Sequence, residues 1–441
     1  MSKFKNLLIK NDNLPPKCFF KDSRDGEIDL LIKNLNQIET PFFELKAKKL
    51  SPQWWDFVRY SIINNICIER GIYAPYESKN IYKKSIYRKI KSSIRMILEI
   101  IKFGCSIFIL KFNNISKIYI SSRNPNKLFE INKHTLIIGN KKSNNRNKFI
   151  SKIVLDKLIL LISGLLNCPK SVKKDISELD KLLKIRFNSQ LDFKKIMIKK
   201  YLKSIAAIQV WEVLFLLLPK IKDIGYINDD NQKGLVFLAN QKKIKTTEVQ
   251  HAYMGKSHEG FSYPCLNFIP NTIPNETVLF FDSNDIVYPS KLINKSVYKT
   301  NKSTNKKEFD ILIGSSPRKS NETRDLISLL SPYEFKLAIK LHPVESSDFF
   351  SYEKKSLSNK LALFSGEENF NNIASKSILY IPISHNSMSI FDSHKEGCLT
   401  LIYDPLGRKL TNMTDHINAC YCYDKESLVP LIKFLIKYLR I

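Results

Sequence analysis

The sequence predicts an α/β protein of two domains, each a parallel sheet with helical crossovers. From about residue 117 onward, short apolar runs of strand length alternate with longer stretches of helical periodicity. One polar, lysine-rich stretch, 282–309, interrupts this alternation. The chain of 441 residues is long enough for two or three domains. We therefore predict an N-terminal domain over 1–285, a linker over 286–308 and a C-terminal domain over 309–441.

The elements of the first domain begin with a helix over 51–72. Ser51 is a suitable N-cap, Pro52 lies in the first turn, and Gly71 ends the helix. Further helices are predicted at 148–166, 193–218 and 231–243. Strands are predicted at 117–121, 134–139, 221–227 and 245–251.

The second domain repeats the alternation after the linker. Its predicted strands are 310–316, 335–343, 361–366, 377–384 and 399–404. Its predicted helices are 321–331, 387–397 and 425–441.

The chain is strongly basic, with 71 Lys and Arg against 42 Asp and Glu and a formal net charge of +29. Such an excess favours anionic partners: nucleic acid, anionic lipid or phosphorylated substrates. The sequence is also rich in Asn and Ile, a joint bias that AT-rich coding produces without any functional need. Composition alone leaves these two explanations open.

The eight cysteines form no C-x-x-C pair and are scattered along the chain. This pattern is typical of reduced, mostly buried thiols in a cytosolic protein. The N-terminus lacks the apolar stretch of a signal peptide, and no window reaches about 18 uninterrupted apolar residues. We therefore expect a cytoplasmic protein, with a peripheral position on the inner face of the membrane as an extension.

A basic amphipathic helix is predicted near 83–102. On a helical wheel isoleucines cluster on one side, and the other side carries Lys84, Arg88, Lys91 and Arg95. This pattern is that of a segment lying on an anionic membrane. The alternative is a surface helix that packs its isoleucines on the domain.

Candidate site residues follow predicted strands, where open α/β sheets bind their ligands. In the first domain the loop after 245–251 carries His251, His258 and Glu259. In the second domain the candidates are Gly314, Ser315, Ser316, His342, Pro343, Ser384, Asn386 and Ser387. Hydroxyl groups at the start of a helix suit a phosphate, and they also serve as ordinary helix caps.

Several chemistries lack their usual sequence patterns. The spacing from His251 to His258 is not a recognised zinc spacing, so we expect no metal site. The chain has no G-x-G-x-x-G, no Walker A sequence and no G-x-S-x-G elbow.

The order of the motifs resembles that of a known family. An aliphatic-Gln-His loop at 249–251 is followed by K-L-H-P at 340–343, and then by a Ser/Asn-rich turn at 384–387 before a helix with an acid and a glycine. Over roughly 205–441 this resembles bacterial surface-polysaccharide glycosyltransferases of the GT-B fold, most of all the sialyltransferase-like and Kdo-transferase-like groups with an HP motif. Ala252 stands where that family usually has Gly. His258-Glu259-Gly260 stands where the sialyltransferases have an acidic triplet.

The resemblance implies two Rossmann-like domains facing across a cleft, with a helical N-terminal elaboration. It implies metal-independent transfer of a sialic acid or Kdo-like sugar from a CMP-activated donor to a hydroxyl of a bacterial surface glycan, such as capsule, lipopolysaccharide or O-antigen. No cofactor is required beyond the nucleotide sugar, which is the substrate. The partners are this donor, a glycan or glycolipid acceptor and an anionic membrane surface, with no specific nucleic acid.

The resemblance also implies roles for the candidate residues. His251 or Glu259 is the base, while His258, Gln250 and Tyr263 shape the acceptor side. The strand-end residues of the second domain, from Gly314 to Ser387, hold the donor. Two alternatives stay open: a GT-B transferase with a UDP- or CDP-linked donor, and a basic non-enzymatic protein that binds nucleic acid or acts as a scaffold.

Overall fold

The structure is a computed structural model with side chains. It describes residues 14–15, 17–20, 22–46, 53–72, 114–121, 131–139, 148–227, 232–249, 271–279, 291–294, 306–317, 319–343, 345–357, 359–385, 387, 389–410, 417 and 419–440.

Strands and helices alternate over most of this part of the chain. The strands are β1 (Cys18–Phe19), β2 (Lys117–Ser121), β3 (Thr135–Gly139), β4 (Lys148–Ser151), β5 (Asp223–Ile227), β6 (Lys245–Val249), β7 (Glu276–Leu279), β8 (Lys291–Asn294), β9 (Phe309–Gly314), β10 (Leu337–Lys340), β11 (Leu361–Phe364), β12 (Ser377–Pro382), β13 (Leu399–Tyr403) and β14 (Ala419–Cys422). The helices are α1 (Glu27–Lys46), α2 (Gln53–Glu69), α3 (Lys152–Leu165), α4 (Lys170–Phe187), α5 (Phe193–Leu217), α6 (Lys233–Gln241), α7 (Ser320–Leu330), α8 (Ser351–Ser356), α9 (Phe370–Ser375), α10 (Ser389–Lys395) and α11 (Lys425–Leu439).

The strands form two seven-stranded sheets. The first has the order β4-β3-β2-β5-β6-β7-β8 and is parallel throughout. The second has the order β1-β14-β13-β12-β9-β10-β11 and is parallel except for the short edge strand β1. Its central strands are almost continuously apolar, and every residue of β12 is buried. This is expected for a parallel sheet with helices on both faces.

Both sheets share one topology. Counted from the first parallel strand of each, six strands run in the spatial order 3-2-1-4-5-6, and β8 and β1 extend the edges. This is the order of the Rossmann fold, in which the chain winds outward from the centre in two directions. The predicted fold class, two Rossmann-like units with a helical N-terminal elaboration, is therefore confirmed.

The N-terminal elaboration consists of α1 and α2, which pack on α4 and the first half of α5 in one apolar cluster. Trp54 and Trp55 lie in this cluster and are buried. The N-terminus of α1 contacts the loop after β13: Glu27 N–H donates to the Lys409 carbonyl at 2.8 Å, and Arg408 forms an ion pair with the Glu27 carboxylate. The helical layer thus connects the first unit to a loop of the second.

Two strands lie outside the units to which the predicted boundaries assign them. β1 comes from the N-terminal segment, yet it pairs with β14 of the second sheet, Cys18 opposite Cys422. β8 lies within the predicted linker 286–308, yet it pairs in parallel with β7 of the first sheet. Edge strands as short as these have too few residues to show the hydrophobic pattern from which strands are predicted. The domain division itself stays a prediction.

The cysteines that the structure describes are all buried, and none of these six is in a disulfide. The basic helix predicted near 83–102, with Lys84, Arg88, Lys91 and Arg95, lies outside the described residues. Among the helices that the structure describes, none is long and apolar enough to cross a membrane.

Candidate functional site

The second sheet reverses its winding between β9 and β12, which are neighbours in parallel register. Ligands of open α/β sheets bind at such a switch point, beyond the carboxyl ends of the strands. β9 ends at Gly314 and β12 at Pro382. The predicted donor residues Gly314, Ser315 and Ser316, and the turn from Ser384, therefore lie on the two sides of this switch point.

Gly314 is packed against the next strand more closely than any other residue type allows. A Cβ atom at this position would stand 2.2 Å from the Tyr380 hydroxyl oxygen and 2.9 Å from two ring carbons. Tyr380 is buried, and its hydroxyl shares a 2.5 Å hydrogen bond with the Ser389 hydroxyl. Burial raises the pKa of Tyr380 further above its ordinary value. A neutral tyrosine thus closes the floor of the switch point.

Ser315 joins the end of β9 to the end of β10. Its hydroxyl accepts from the His342 N–H at 3.2 Å and donates to the Glu345 carboxylate. The same Glu345 oxygen accepts from the His342 N–H at 2.8 Å. The His342 side chain is exposed at the strand end. Ser315 therefore positions the K-L-H-P segment, and its hydroxyl is already engaged within the protein.

Lys340 holds the K-L-H-P segment in place through its buried side chain. Its side chain is buried, and its ammonium donates to the Leu341 and Gly366 carbonyls, each at 3.0 Å. Burial lowers the pKa of Lys340, and the negative charges of Glu368, Glu367 and Glu345 partly oppose this shift. At Gly366 a Cβ would stand 2.5 Å from Pro343 Cα and 2.8 Å from the His342 carbonyl oxygen. The backbone of the HP motif is thus held between a buried cation and a glycine.

The turn after β12 provides both a cap and a half-buried histidine. The Ser387 hydroxyl accepts from the Ser389 N–H at 3.4 Å and lies 2.6 Å from the Ser389 hydroxyl, so Ser387 caps α10. His385 Nε2 lies 3.3 Å from the Tyr403 carbonyl oxygen. Burial, with the Lys319 charge, lowers the pKa of His385 to about 4. His385 is therefore neutral at neutral pH.

Lys319 supplies positive charge to the same edge. It precedes α7 and forms an ion pair with Glu322 at 3.2 Å. The Lys319 charge also acts on Asp404, which follows β13. Burial raises the pKa of Asp404, and the charges of Lys319 and Arg408 oppose that rise. α7 has eleven residues, and its N-terminus carries partial positive charge toward the end of β9. Lys319 and this helix N-terminus make the switch point a favourable place for an oxyanion.

The predicted residues of the first unit fall on the loop after β6. Gln250, His251, His258, Glu259 and Tyr263 lie outside the described residues, as does Asn386 of the second unit. The structure does define the point from which that loop starts, because β6 ends at Val249 beside β5. β5 flanks the switch point of the first sheet.

Four residues of this edge were not among the sequence candidates: Lys319, Lys340, Glu345 and His385. Lys340 and His385 lie inside the stretches that signalled the site, K-L-H-P and the turn after β12. Lys319 and Glu345 carry a weaker signal, since each lies within five residues of a strand end. Within the described part of the chain, no group of three or more His, Cys, Asp or Glu side chains is arranged to hold a metal ion.

No protein-family model matches the chain, and no curated protein matches it in sequence. Solved structures with a similar course of the chain include the UDP-GlcNAc 2-epimerase of Methanocaldococcus jannaschii in complex with UDP-GlcNAc and UDP. It has 12% identity and a TM-score of 0.38, over 73% of this chain and 92% of that chain. MurG of Acinetobacter baumannii has 12% identity and a TM-score of 0.35, over 54% and 74%. The spinosyn rhamnosyltransferase SpnG complexed with spinosyn aglycone has 7% identity and a TM-score of 0.37, over 74% and 92%. At these identities the function must be sought in the residues of this chain.

Proposed function

We propose that this protein is a glycosyltransferase that binds a nucleotide sugar at the switch point of the second sheet. The observation that carries the proposal is the meeting of three features at this edge. These are the HP motif at the end of β10, the glycine-serine turn at the end of β9, and the Lys319 cation before α7. Two Rossmann-like units in one chain suit such a reaction, because one unit can hold the donor while the other presents the acceptor.

The donor phosphate would lie between Lys319, the N-terminus of α7 and the exposed His342 ring. During transfer the bond between the anomeric carbon and the phosphate oxygen breaks, and its electron pair leaves with the nucleotide. Fixed positive groups at that oxygen stabilise the charge that develops there. Ser315, Lys340 and Gly366 act indirectly, since they hold the backbone of His342 in place.

The acceptor hydroxyl would be activated by His251 or Glu259. The base takes the hydroxyl proton as the oxygen forms its bond to the anomeric carbon, so it must lie within hydrogen-bond reach. His251 follows the end of β6 by two residues, which favours a fixed position, and a histidine of ordinary pKa is largely neutral near pH 7. Glu259 is the counterpart of the family's acidic triplet. We place His251 first.

The contact between the helical layer and the loop after β13 supports a shared cleft. Lys233, at the start of α6 and hence near the carboxyl edge of the first sheet, lies 3.5 Å from the Asp56 carboxylate on α2. The adjacent helix α1 contacts Lys409 and Leu410 at the carboxyl edge of the second sheet. The two edges are therefore linked through the same pair of helices.

The motif resemblance guides the choice of donor, acceptor and location. We propose a CMP-linked sialic acid or Kdo-like donor, a bacterial surface glycan as acceptor, and peripheral binding to the inner membrane face through the helix near 83–102. A UDP- or CDP-linked donor would use the same phosphate site.

Thermal shifts with CMP, CDP, UDP and GDP test the donor. One nucleotide should stabilise the wild type, by about 2.7 kcal/mol at a hundred times its dissociation constant. Salt-sensitive binding to random oligonucleotides with no nucleotide effect would instead favour a nucleic-acid-binding protein.

Turnover of two variants at saturating donor and acceptor tests the base. His251→Ala should abolish turnover and keep nucleotide binding, whereas Glu259→Gln should lower turnover less. The assignment reverses if Glu259→Gln is inactive while His251→Ala retains near-normal turnover.

A further inference from the structure

Two buried cysteines face each other at the edge of the second sheet. Cys18 is the first residue of β1, and Cys422 is the last residue of β14. The antiparallel register places them directly opposite one another, and their sulfur atoms lie 3.6 Å apart. Neither is in a disulfide, and both belong to the same apolar cluster. The fold thus brings together two thiols that are 404 positions apart in the chain.

The backbone around this pair has the geometry that a disulfide between two strands requires. The Tyr423 N–H donates to the Lys17 carbonyl at 3.2 Å, so Lys17 and Tyr423 are the hydrogen-bonded pair beside the cysteines. Because the two kinds of pair alternate along an antiparallel ladder, Cys18 and Cys422 are a non-hydrogen-bonded pair, with Cα atoms about 4.5 Å apart. A disulfide spans Cα atoms about 4.4–6.8 Å apart. The sulfur atoms need to approach by only about 1.5 Å to bond.

The hydrogen bond between the two thiols gives them different reactivity. The Cys18 S–H donates to the Cys422 sulfur. This hydrogen bond lowers the pKa of the Cys422 thiol, whereas the same bond and burial raise the pKa of Cys18. The thiolate is the form that attacks a disulfide. Cys422 is therefore the attacking thiol of the pair, and Cys18 is the resolving thiol.

A small oxidant can reach this buried pair through the edge of the sheet. β1 is the outermost strand of the second sheet and has only two residues. Its second residue, Phe19, has a side chain that is 45% exposed. A strand held by so few backbone hydrogen bonds opens locally at a much lower free-energy cost than the whole fold. Opening of β1 uncovers both sulfur atoms and leaves the parallel strands paired.

We propose that Cys18 and Cys422 are a reversible redox site, at which a low-molecular-weight disulfide such as oxidised glutathione joins β1 covalently to β14. The Cys422 thiolate attacks one sulfur of the oxidant, whose S–S bond breaks and releases one thiolate. When β1 closes, the Cys18 sulfur attacks Cys422 of the mixed disulfide, the Cys18–Cys422 bond forms, and the second thiolate leaves. The oxidant takes up two electrons and the two protons of the cysteines. An excess of the reduced thiol reverses both steps.

The disulfide fastens the segment that connects the second unit to the helical layer. After β1 the Asp22 carboxylate accepts from the Tyr423 hydroxyl at 2.6 Å, and the Asp22 carbonyl accepts from Lys409 Nζ at 2.7 Å. The segment then enters α1, whose Glu27 N–H donates to the Lys409 carbonyl. A covalent bond at Cys18 keeps the start of this segment against β14, so the oxidised form has the more rigid connection. The inference does not depend on sugar transfer.

Peptide mapping of the folded full chain locates the bond. The reduced protein is incubated with mixtures of oxidised and reduced glutathione, free thiols are alkylated, and the peptides are identified by mass spectrometry. The reduced chain has eight thiols; oxidation should remove two of them and yield a Cys18–Cys422 peptide. Dithiothreitol should restore all eight. Glutathione adducts without this peptide, a link of Cys18 to Cys420, or a link that forms only in urea overturns the inference.

Two serine variants test the order of the steps and the effect on the segment. In Cys18→Ser the glutathione adduct of Cys422 should accumulate, because the resolving thiol is absent. Cys398→Ser is the control, since Cys398 is also buried but lies in a different apolar cluster. On oxidation, hydrogen exchange of residues 17–28 should slow in the wild type and in Cys398→Ser, and it should not slow in Cys18→Ser. Equal exchange in the oxidised and reduced wild type overturns the role of the bond in holding this segment.

Discussion

Replacing Gly366 by alanine should displace the HP motif without replacing any residue proposed to contact the donor. The new Cβ would stand 2.5 Å from Pro343 Cα and 2.8 Å from the His342 carbonyl oxygen. Non-bonded carbon atoms separate to about 3.5–4.0 Å, so the two backbones must move apart by about 1 Å. Both obstructing atoms belong to the main chain, so no side-chain rotation can relieve the contact.

The displacement has two expected consequences. Overpacking of this kind destabilises a fold by about 1–3 kcal/mol, to be measured by urea unfolding. A misplacement of about 1 Å at a reacting centre lowers the rate by about a hundredfold, to be measured as transfer at saturating acceptor. Weaker donor binding should accompany the loss, since His342 moves with its backbone.

Gly164→Ala is the matched control. Gly164 lies in α3 with no atom within 4 Å of the new Cβ, so the substitution should stabilise by about 0.5–1 kcal/mol and leave transfer unchanged. If Gly366→Ala loses stability as expected yet binds donor and turns over like the wild type, the position of His342 does not matter to the donor, and the site assignment is refuted.

Three further predictions concern other parts of the chain. The pKa of His385 in the folded protein is lowered to about 4, so between pH 6.5 and 4 the unfolded state binds more protons than the folded state. The free energy of unfolding should therefore fall by about 1–3 kcal/mol as pH falls through that window. Urea unfolding of His385→Gln should lack this loss. Glu39→Ala should destabilise by about 3 kcal/mol in the same assay, because Arg59 Nε lies 2.5 Å from Glu39 Oε1 in a buried pair, and a second change of Arg59 to Met should recover part of the loss. Changing Lys84, Arg88, Lys91 and Arg95 to Glu should abolish sedimentation with anionic liposomes, and equal partitioning of the wild type to neutral liposomes would remove the membrane role.

The fold class could be predicted from the sequence because buried parallel strands have a distinctive apolar pattern. Buried runs such as β9 and β12 are continuously apolar, and the helices between them are long enough to show their period. β1, β4, β7, β8 and β14 were not predicted, and the residues of β4 were assigned to the start of the helix over 148–166, because a strand of two to four residues is too short to show a pattern of its own. Their placement depends on partners far away in the chain, as Cys18 opposite Cys422 illustrates.

The sequence predicted the positions of strand ends better than the contacts of the residues there. Gly314 and His342 do lie at the ends of β9 and β10, as predicted, and their roles in binding stay a prediction. Ser315 and Ser387 were expected to bind phosphate, yet their hydroxyls engage Glu345 and Ser389. The choice between an anion ligand and an internal hydrogen bond depends on which side chains the fold brings near, and spacing does not encode that.

The most direct test of the donor site is calorimetric titration of the stabilising nucleotide into the wild type and His342→Ala. His134→Ala is the control, since His134 precedes β3 at the opposite edge of the first sheet, with Nδ1 3.1 Å from the Asn114 carbonyl oxygen. Loss of a charge-assisted contact should weaken binding in His342→Ala about tenfold or more, with unfolding in urea unchanged. His134→Ala should bind like the wild type. Equal nucleotide affinity in the wild type and His342→Ala would place the donor elsewhere.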